Sequence, residues 1–100
     1  MTESDRANSD VVWHLYIIRF GGDKLYTGVT TDVERRFSEH CSEGVKSAKA
    51  LKGKGPFELV YSKEIGDKST ALKVEYSIKQ MSKERKLSLI QSGGTPEILQ

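Results

Sequence analysis

One hundred residues, 36% hydrophobic and 30% charged, suffice for one domain with one modest core and leave no room for a second. No apolar run approaches the roughly 20 residues that cross a bilayer, so no membrane partner is expected, and the single cysteine, Cys41, excludes an internal disulfide and a CxxC zinc site. The net charge is +2, but residues 1–10 set Glu3, Asp5 and Asp10 against Arg6, so the remainder is more basic than the total suggests.

Residues 1–10 are polar and aperiodic and read as a flexible arm. They contain neither a positive leader nor an apolar stretch, so export is not expected and a reducing cytoplasm is the expected location. Structure is expected over 11–91. Val11 to Phe20 is rich in β-branched and aromatic residues, Gly21-Gly22-Asp23 supplies a turn, and Lys24 to Val29 returns, which together predict a β-hairpin. A three-residue loop at Gly21–Asp23 sets Phe20 opposite Lys24, which puts Tyr16 and Tyr26 on one face of the sheet; a register one residue away would separate them.

Thr31 with Glu34 matches a capping box, and Asp32 is the other candidate cap, for a helix running to about Cys41 and ended by Gly44. Helical phase places Val33, Arg36, Phe37 and His40 in one stripe, with Arg35, Ser38 and Glu39 opposite. Arg36 rather than Arg35 therefore looks towards the sheet. Ser47 to Pro56 is lysine- and glycine-rich and reads as a basic surface loop, with room for a short helical turn over Ser47–Leu51. Phe57 to Ser62 alternates as a third strand. Ser69 is the expected cap of the next helix, whose apolar stripe is Ala71, Val74, Ile78 and Met81, with Glu75 beside it. Ser82 opens a last short helix to about Ile90, and 92–100 is expected to leave as a flexible tail at Gly93-Gly94-Thr95-Pro96.

Positive charge gathers in Lys46, Lys49, Lys52 and Lys54, and again in Lys79, Lys83, Arg85 and Lys86. A surface that meets phosphates needs such clusters, and so does an ordinary solvated face. Taken singly, Tyr16 and Tyr26 suit strand rings that pad a sheet, Arg36 and His40 suit the edge of a core, and Glu75 suits an ion pair with Lys79 one turn on. Gly28 reads as a point of close backbone approach or a bulge.

Jointly these residues carry a more specific pattern. His14-Leu15-Tyr16, a ten-residue step to Tyr26-Thr27-Gly28, then Arg36, His40 and a much later Glu75 closely resemble the ordered signature of the GIY-YIG nuclease family. The Ala-Leu-Lys-x-Glu-Tyr helix is similar to the compact, free-standing bacterial branch of that family. The resemblance implies an α+β fold, a small antiparallel three-stranded sheet flanked by helices, and the elements read above fit it. It also implies that Tyr16, Tyr26, Arg36, His40 and Glu75 are the catalytic residues and that Glu75 holds a divalent ion, Mg²⁺ or another such as Mn²⁺. The implied partner is nucleic acid, DNA in preference to RNA, with Lys46, Lys49, Lys52, Lys54 and Lys79 as candidate phosphate contacts. The implied activity is hydrolysis of phosphodiester bonds with little sequence preference, related to repair or to branched structures.

The residue types suit that chemistry. One carboxylate suffices for an ion that keeps its waters, as Mg²⁺ does, and the planar guanidinium of Arg36 can fork to two phosphate oxygens where lysine cannot. Tyr26 is the expected helper in activating water, Tyr16 the expected positioning group, and His40, with its pKa near 6.5, the competing proton acceptor. The chain carries Val29 where many members have lysine, His14 where the family name has glycine, and no counterpart of the asparagine that several branches place after the glutamate. Those departures keep open a second reading, a nucleic-acid-binding module without catalysis, and the modest net charge keeps open a third, a protein-interaction domain.

Overall fold

Leu15-Tyr16-Ile17-Ile18 is apolar without alternation, as a strand covered on both faces must be, and all four side chains are buried at the centre of the molecule. The computed structural model describes residues 11–42 and 55–96. In it β1 (Trp13–Phe20) is the middle strand of a three-stranded antiparallel sheet. β2 (Lys24–Thr30) and β3 (Phe57–Gly66) flank it, and the helices are α1 (Val33–Ser42), α2 (Lys68–Lys79) and α3 (Lys83–Ser92). This is the α+β arrangement expected. Among the described residues no helix is long and apolar enough to cross a membrane.

The hairpin takes the three-residue loop. Gly21 and Gly22 adopt φ values of 55° and 93°, which residues with a Cβ rarely adopt. Phe20 consequently pairs with Lys24, Ile18 with Tyr26 and Tyr16 with Gly28. Side chains alternate across the sheet, so one face gathers Leu15, Ile17 and Tyr61 against Val74 and Ile78 of α2, with Met81, Leu89 and Ile90 beside them. The other gathers Tyr16, Ile18 and Phe20 with Tyr26 and Phe57, covered by Val33 and Phe37 of α1.

β3 runs four residues further than its alternation predicts, to Gly66. The extension opens with Lys63 and Glu64, which are polar and lie on a border strand, so composition hides it. Two register irregularities interrupt its pairing with β1. Val60 is the extra residue between Leu59 and Tyr61, and Ile65 the extra one between Glu64 and Gly66. Both turn towards the Leu15 core.

One helix start selects between the two stated candidates and another differs from expectation. Asp32, not Thr31, caps α1: its Oδ1 accepts from Arg35 N at 3.1 Å, and its own N–H donates to Thr30 Oγ1 at 3.2 Å. α2 begins before Ser69, with Asp67 at the cap position and its carboxylate accepting from Thr70 Oγ1 at 2.5 Å. α3 starts as expected, with Ser82 Oγ accepting from Arg85 N at 3.2 Å. The residues after it stay on the fold as far as Pro96, which is buried. Tyr61 Oη donates to the Gly94 carbonyl at 2.7 Å, and Lys63 Nζ to that of Gly93 at 3.2 Å. Residues 1–10 and 97–100, at the ends of the expected arm and tail, lie outside the described residues, as do Gly44 and residues 47–54 of the expected basic loop.

Candidate active site

The site grows from β1. Tyr16 points from the middle strand onto the α1 face, and its neighbours across the sheet are Gly28 on β2 and Ser62 on β3. Small neighbours on both sides leave room for its ring. At Gly28 that room is indispensable, because a Cβ there would stand 2.5 Å from Tyr16 Oη and 2.7 Å from Cζ. Gly28 is thus a point of close approach, and the atom that approaches is the phenol.

Tyr26 lies on the same face one strand over, with ring centroids 6.4 Å apart. α1 then lays His40 across both: its ring centroid is 6.0 Å from that of Tyr16 and 5.6 Å from that of Tyr26, the latter edge-on. His40 is fully buried, and its Nε2 is 3.0 Å from Tyr16 Oη. One turn earlier, Arg36 is half-buried on the inward face while Arg35 is exposed, as helical phase requires.

The electrostatics separate the roles of these groups. Burial, reinforced by the neighbouring Tyr26, pushes the Tyr16 phenol up to about 12, against the pull of a hydrogen bond and charge from Arg36. Tyr16 therefore keeps its proton at neutral pH. Burial and then the Arg36 charge push His40 below its ordinary value, with Glu39 opposing. His40 is accordingly a neutral imidazole near pH 7, hydrogen-bonded through Nε2 to the Tyr16 hydroxyl. Burial works against the Arg36 charge, but the Glu39 carboxylate and the Tyr16 hydroxyl outweigh it and hold the guanidinium protonated more firmly than usual.

Glu39 is the residue that sequence reasoning misplaces. It is set opposite the inward stripe, yet at about 100° per residue it lies only about 60° from Arg36, whose Nη1 donates to Glu39 Oε1 at 2.9 Å, and both side chains are largely shielded. The signal is there as an i,i+3 pair of opposite charges, which meet on a helix surface.

Glu75 arrives from α2. Its charge is felt at Tyr16, as the smallest of the influences on that phenol, and its Oε2 is 3.2 Å from Lys79 Nζ. Among the described residues no three His, Cys, Asp or Glu side chains group closely enough to cage a metal. A single carboxylate such as Glu75 would suit an ion that takes its remaining ligands from water and phosphate, as Mg²⁺ does. Two residues before Tyr16 along β1, His14 has an Nδ1 that is buried without a hydrogen-bond partner among the described residues. Lys46, Lys49, Lys52 and Lys54 lie outside the described residues, and Lys79 is the one candidate phosphate contact that can be located.

Comparison with known proteins matches the same stretch of chain. The family model described as the GIY-YIG catalytic domain matches residues 12–88. A UPF0213 protein of Yersinia pestis (strain Pestoides F) is 54% identical over 82 residues, covering 82% of this chain and 84% of that protein. A second, from Yersinia pseudotuberculosis serotype O:1b (strain IP 31758), matches to the same extent. Among solved structures, the solution NMR structure of the UPF0213 protein BH0048 from Bacillus halodurans is similar, with a TM-score of 0.54 and 38% identity. That match covers 85% of this chain and 88% of the other.

Proposed function

The chain belongs to the GIY-YIG family, and from that premise we propose that it is a metal-dependent endonuclease that hydrolyses phosphodiester bonds in DNA with little sequence preference, acting in the cytoplasm. One observation carries the reading: Tyr16, Tyr26, Arg36 and His40, drawn from two strands and a helix, converge on one face of the sheet, with Gly28 cleared to admit the first tyrosine.

Each side chain has a task that its surroundings suit. Arg36, fixed by Glu39, presents its fork to two oxygens of the scissile phosphate and stabilises the negative charge that grows there. Tyr16, protonated and hydrogen-bonded, orients the phosphate or the attacking water rather than accepting a proton. Tyr26 is less buried than Tyr16 and helps to activate the water. His40 is kept neutral but has no exposed surface, so a proton reaches it through a tyrosine hydroxyl and not directly from the water. Glu75 holds the divalent ion, which when bound supplies charge neutralisation to the phosphate and the leaving oxygen. Contacts to phosphate by arginine and lysine give affinity and register without reading bases, which supports the absence of sequence preference.

A second reading, a binding module without catalysis, is favoured by Val29. That side chain packs on the Leu15 core, on the side of the sheet away from the tyrosines, and brings no cation to the site. Supercoiled DNA mixed with the purified protein and Mg²⁺ separates the two. Nicking is expected, with a loss of about a hundredfold or more in Arg36→Ala and abolition in Glu75→Ala. Nicking that survives Glu75→Ala, or DNA binding without any nicking, would refute the nuclease reading. Activity against pH for Tyr26→Phe and His40→Ala then identifies the base, and a fully active Tyr26→Phe protein would exclude Tyr26.

A further inference from the structure

The turn of the β1–β2 hairpin meets the first residues of α3. Asp23 Oδ2, in the turn, lies 2.8 Å from Lys83 Nζ. Around that ion pair Phe20, Lys24 and Leu25 of the hairpin and Lys86 of α3 line an open cleft of about 370 Å³. Lys83 and Lys86 are three residues apart and so share one face of the helix. Lys86 is half-buried, and Lys24 is exposed.

The charges in this cleft do not balance. Asp23 answers Lys83, but neither Lys24 nor Lys86 has a carboxylate at ion-pair distance among the described residues. An ammonium drawn partly out of water with no anion beside it carries a cost that a bound anion removes. Phe20 and Leu25 add apolar lining, and a cleft of one charge sign with low-dielectric walls concentrates its field on whatever enters.

Position indicates which anion that is. Lys24 stands two residues before Tyr26 on β2 and on the same face of the sheet, with Cα atoms about 6.8 Å apart. A nucleic-acid strand held at Tyr26 and Arg36 and running along β2 towards the turn reaches the cleft within a few nucleotides, because each adds about 3.4 Å along the duplex axis.

We propose that the cleft between the hairpin turn and α3 seats a backbone phosphate of the bound nucleic acid, held between Lys24 and Lys86 a few nucleotides from the phosphate presented to Arg36. This rests on the nucleic-acid reading above and adds a direction to it: the strand lies along β2 towards the turn. Asp23 keeps Lys83 at the mouth of the cleft and the turn against α3. Ammonium groups on flexible stems give the contact affinity and register without sequence preference.

The test is duplex binding by the full chain in EDTA, which suppresses cleavage, read as fluorescence anisotropy of labelled DNA from about 50 to 200 mM salt. Lys24→Gln and Lys86→Gln are each expected to weaken binding by about threefold or more and to reduce the slope of log K against log salt by about one. Lys73→Gln, which removes the same charge from an exposed position on α2, is expected to leave the slope unchanged. Lys24 is exposed, so folding is not at stake there, and Lys86→Arg is expected to keep the wild-type slope. An unchanged slope in either glutamine variant of the cleft, or an equal loss in Lys73→Gln, would overturn the proposal. So would binding of polyglutamate that depends on Lys24 and Lys86 while duplex binding does not. A protein that nicks DNA with Mg²⁺ but shows no change of slope fails here alone. One that shows the change but never nicks fails only as a nuclease.

Discussion

The two faces of the sheet are built from alternate residues of the same strand and do different work. Leu15 and Ile17 point into a core of aliphatic side chains closed by α2 and α3, where Tyr61 is the titratable member of the buried cluster. Tyr16, one residue away, points to the other side, where α1 brings a histidine and an arginine against two phenols. The first face is held by area and shape. The second buries polar groups, which is stable only while each keeps its partner. A strand of eight residues thus supplies stability and chemistry in alternation, and displacing it by one residue would exchange them.

The comparison breaks if damage to one face is felt equally in both functions. Ile78→Ala, a truncation at the centre of the aliphatic face, is expected to lower stability by about 2–5 kcal/mol, measured by urea denaturation, while the folded fraction keeps its rate of nicking. Gly28→Ala is expected to do the reverse. Its methyl forces the Tyr16 ring aside, with a smaller stability loss of about 1–3 kcal/mol and a larger loss of nicking. Equal effects of Ile78→Ala and Gly28→Ala on the ratio of activity to stability would show that the faces are not separate.

The smallest effect is one of pH. His40 has a lower pKa folded than unfolded, so in acid the unfolded chain binds its proton first. Stability from this source is full above about pH 6.5 and falls as the pH drops below it. The wild-type urea midpoint is expected to decline between pH 7 and pH 5, and that of His40→Gln to stay flatter. Asp23, held down by a hydrogen bond from Lys83, and Asp67, held down by one from Thr70, lose their contributions only at or below the ordinary carboxylate range, outside that window. An identical slope in His40→Gln would overturn the assignment.

Much of this architecture is legible in the amino-acid sequence alone. The Gly21–Asp23 turn implies the register that unites Tyr16 with Tyr26, and helical phase selects Arg36 over Arg35, because both depend on local geometry alone. What escapes depends on contacts between distant segments. Lys63 and Glu64 do not look like strand, because an edge strand's outward side chains are chosen by water. Asp67 rather than Ser69 caps α2 because β3 runs longer than its alternation shows. Glu39 looks solvent-facing when it is judged against the centre of the inward stripe, but it stands only about 60° round the helix from Arg36 at the edge of that stripe, within reach of its guanidinium. The lysines from 46 to 54 supply most of the expected phosphate contacts, and they lie outside the described residues.

Among the described residues the three-stranded sheet has two borders without a further strand, and such borders can recruit a strand from another molecule. β3 is poorly suited to that. It bends at Val60 and Ile65 and carries Glu58, Lys63 and Glu64. Irregularity and charge together deny a neighbouring chain a straight, uncharged row of hydrogen bonds. The same two bulges that bring extra side chains into the core thus also defend this small protein against strand-to-strand aggregation in a crowded solution.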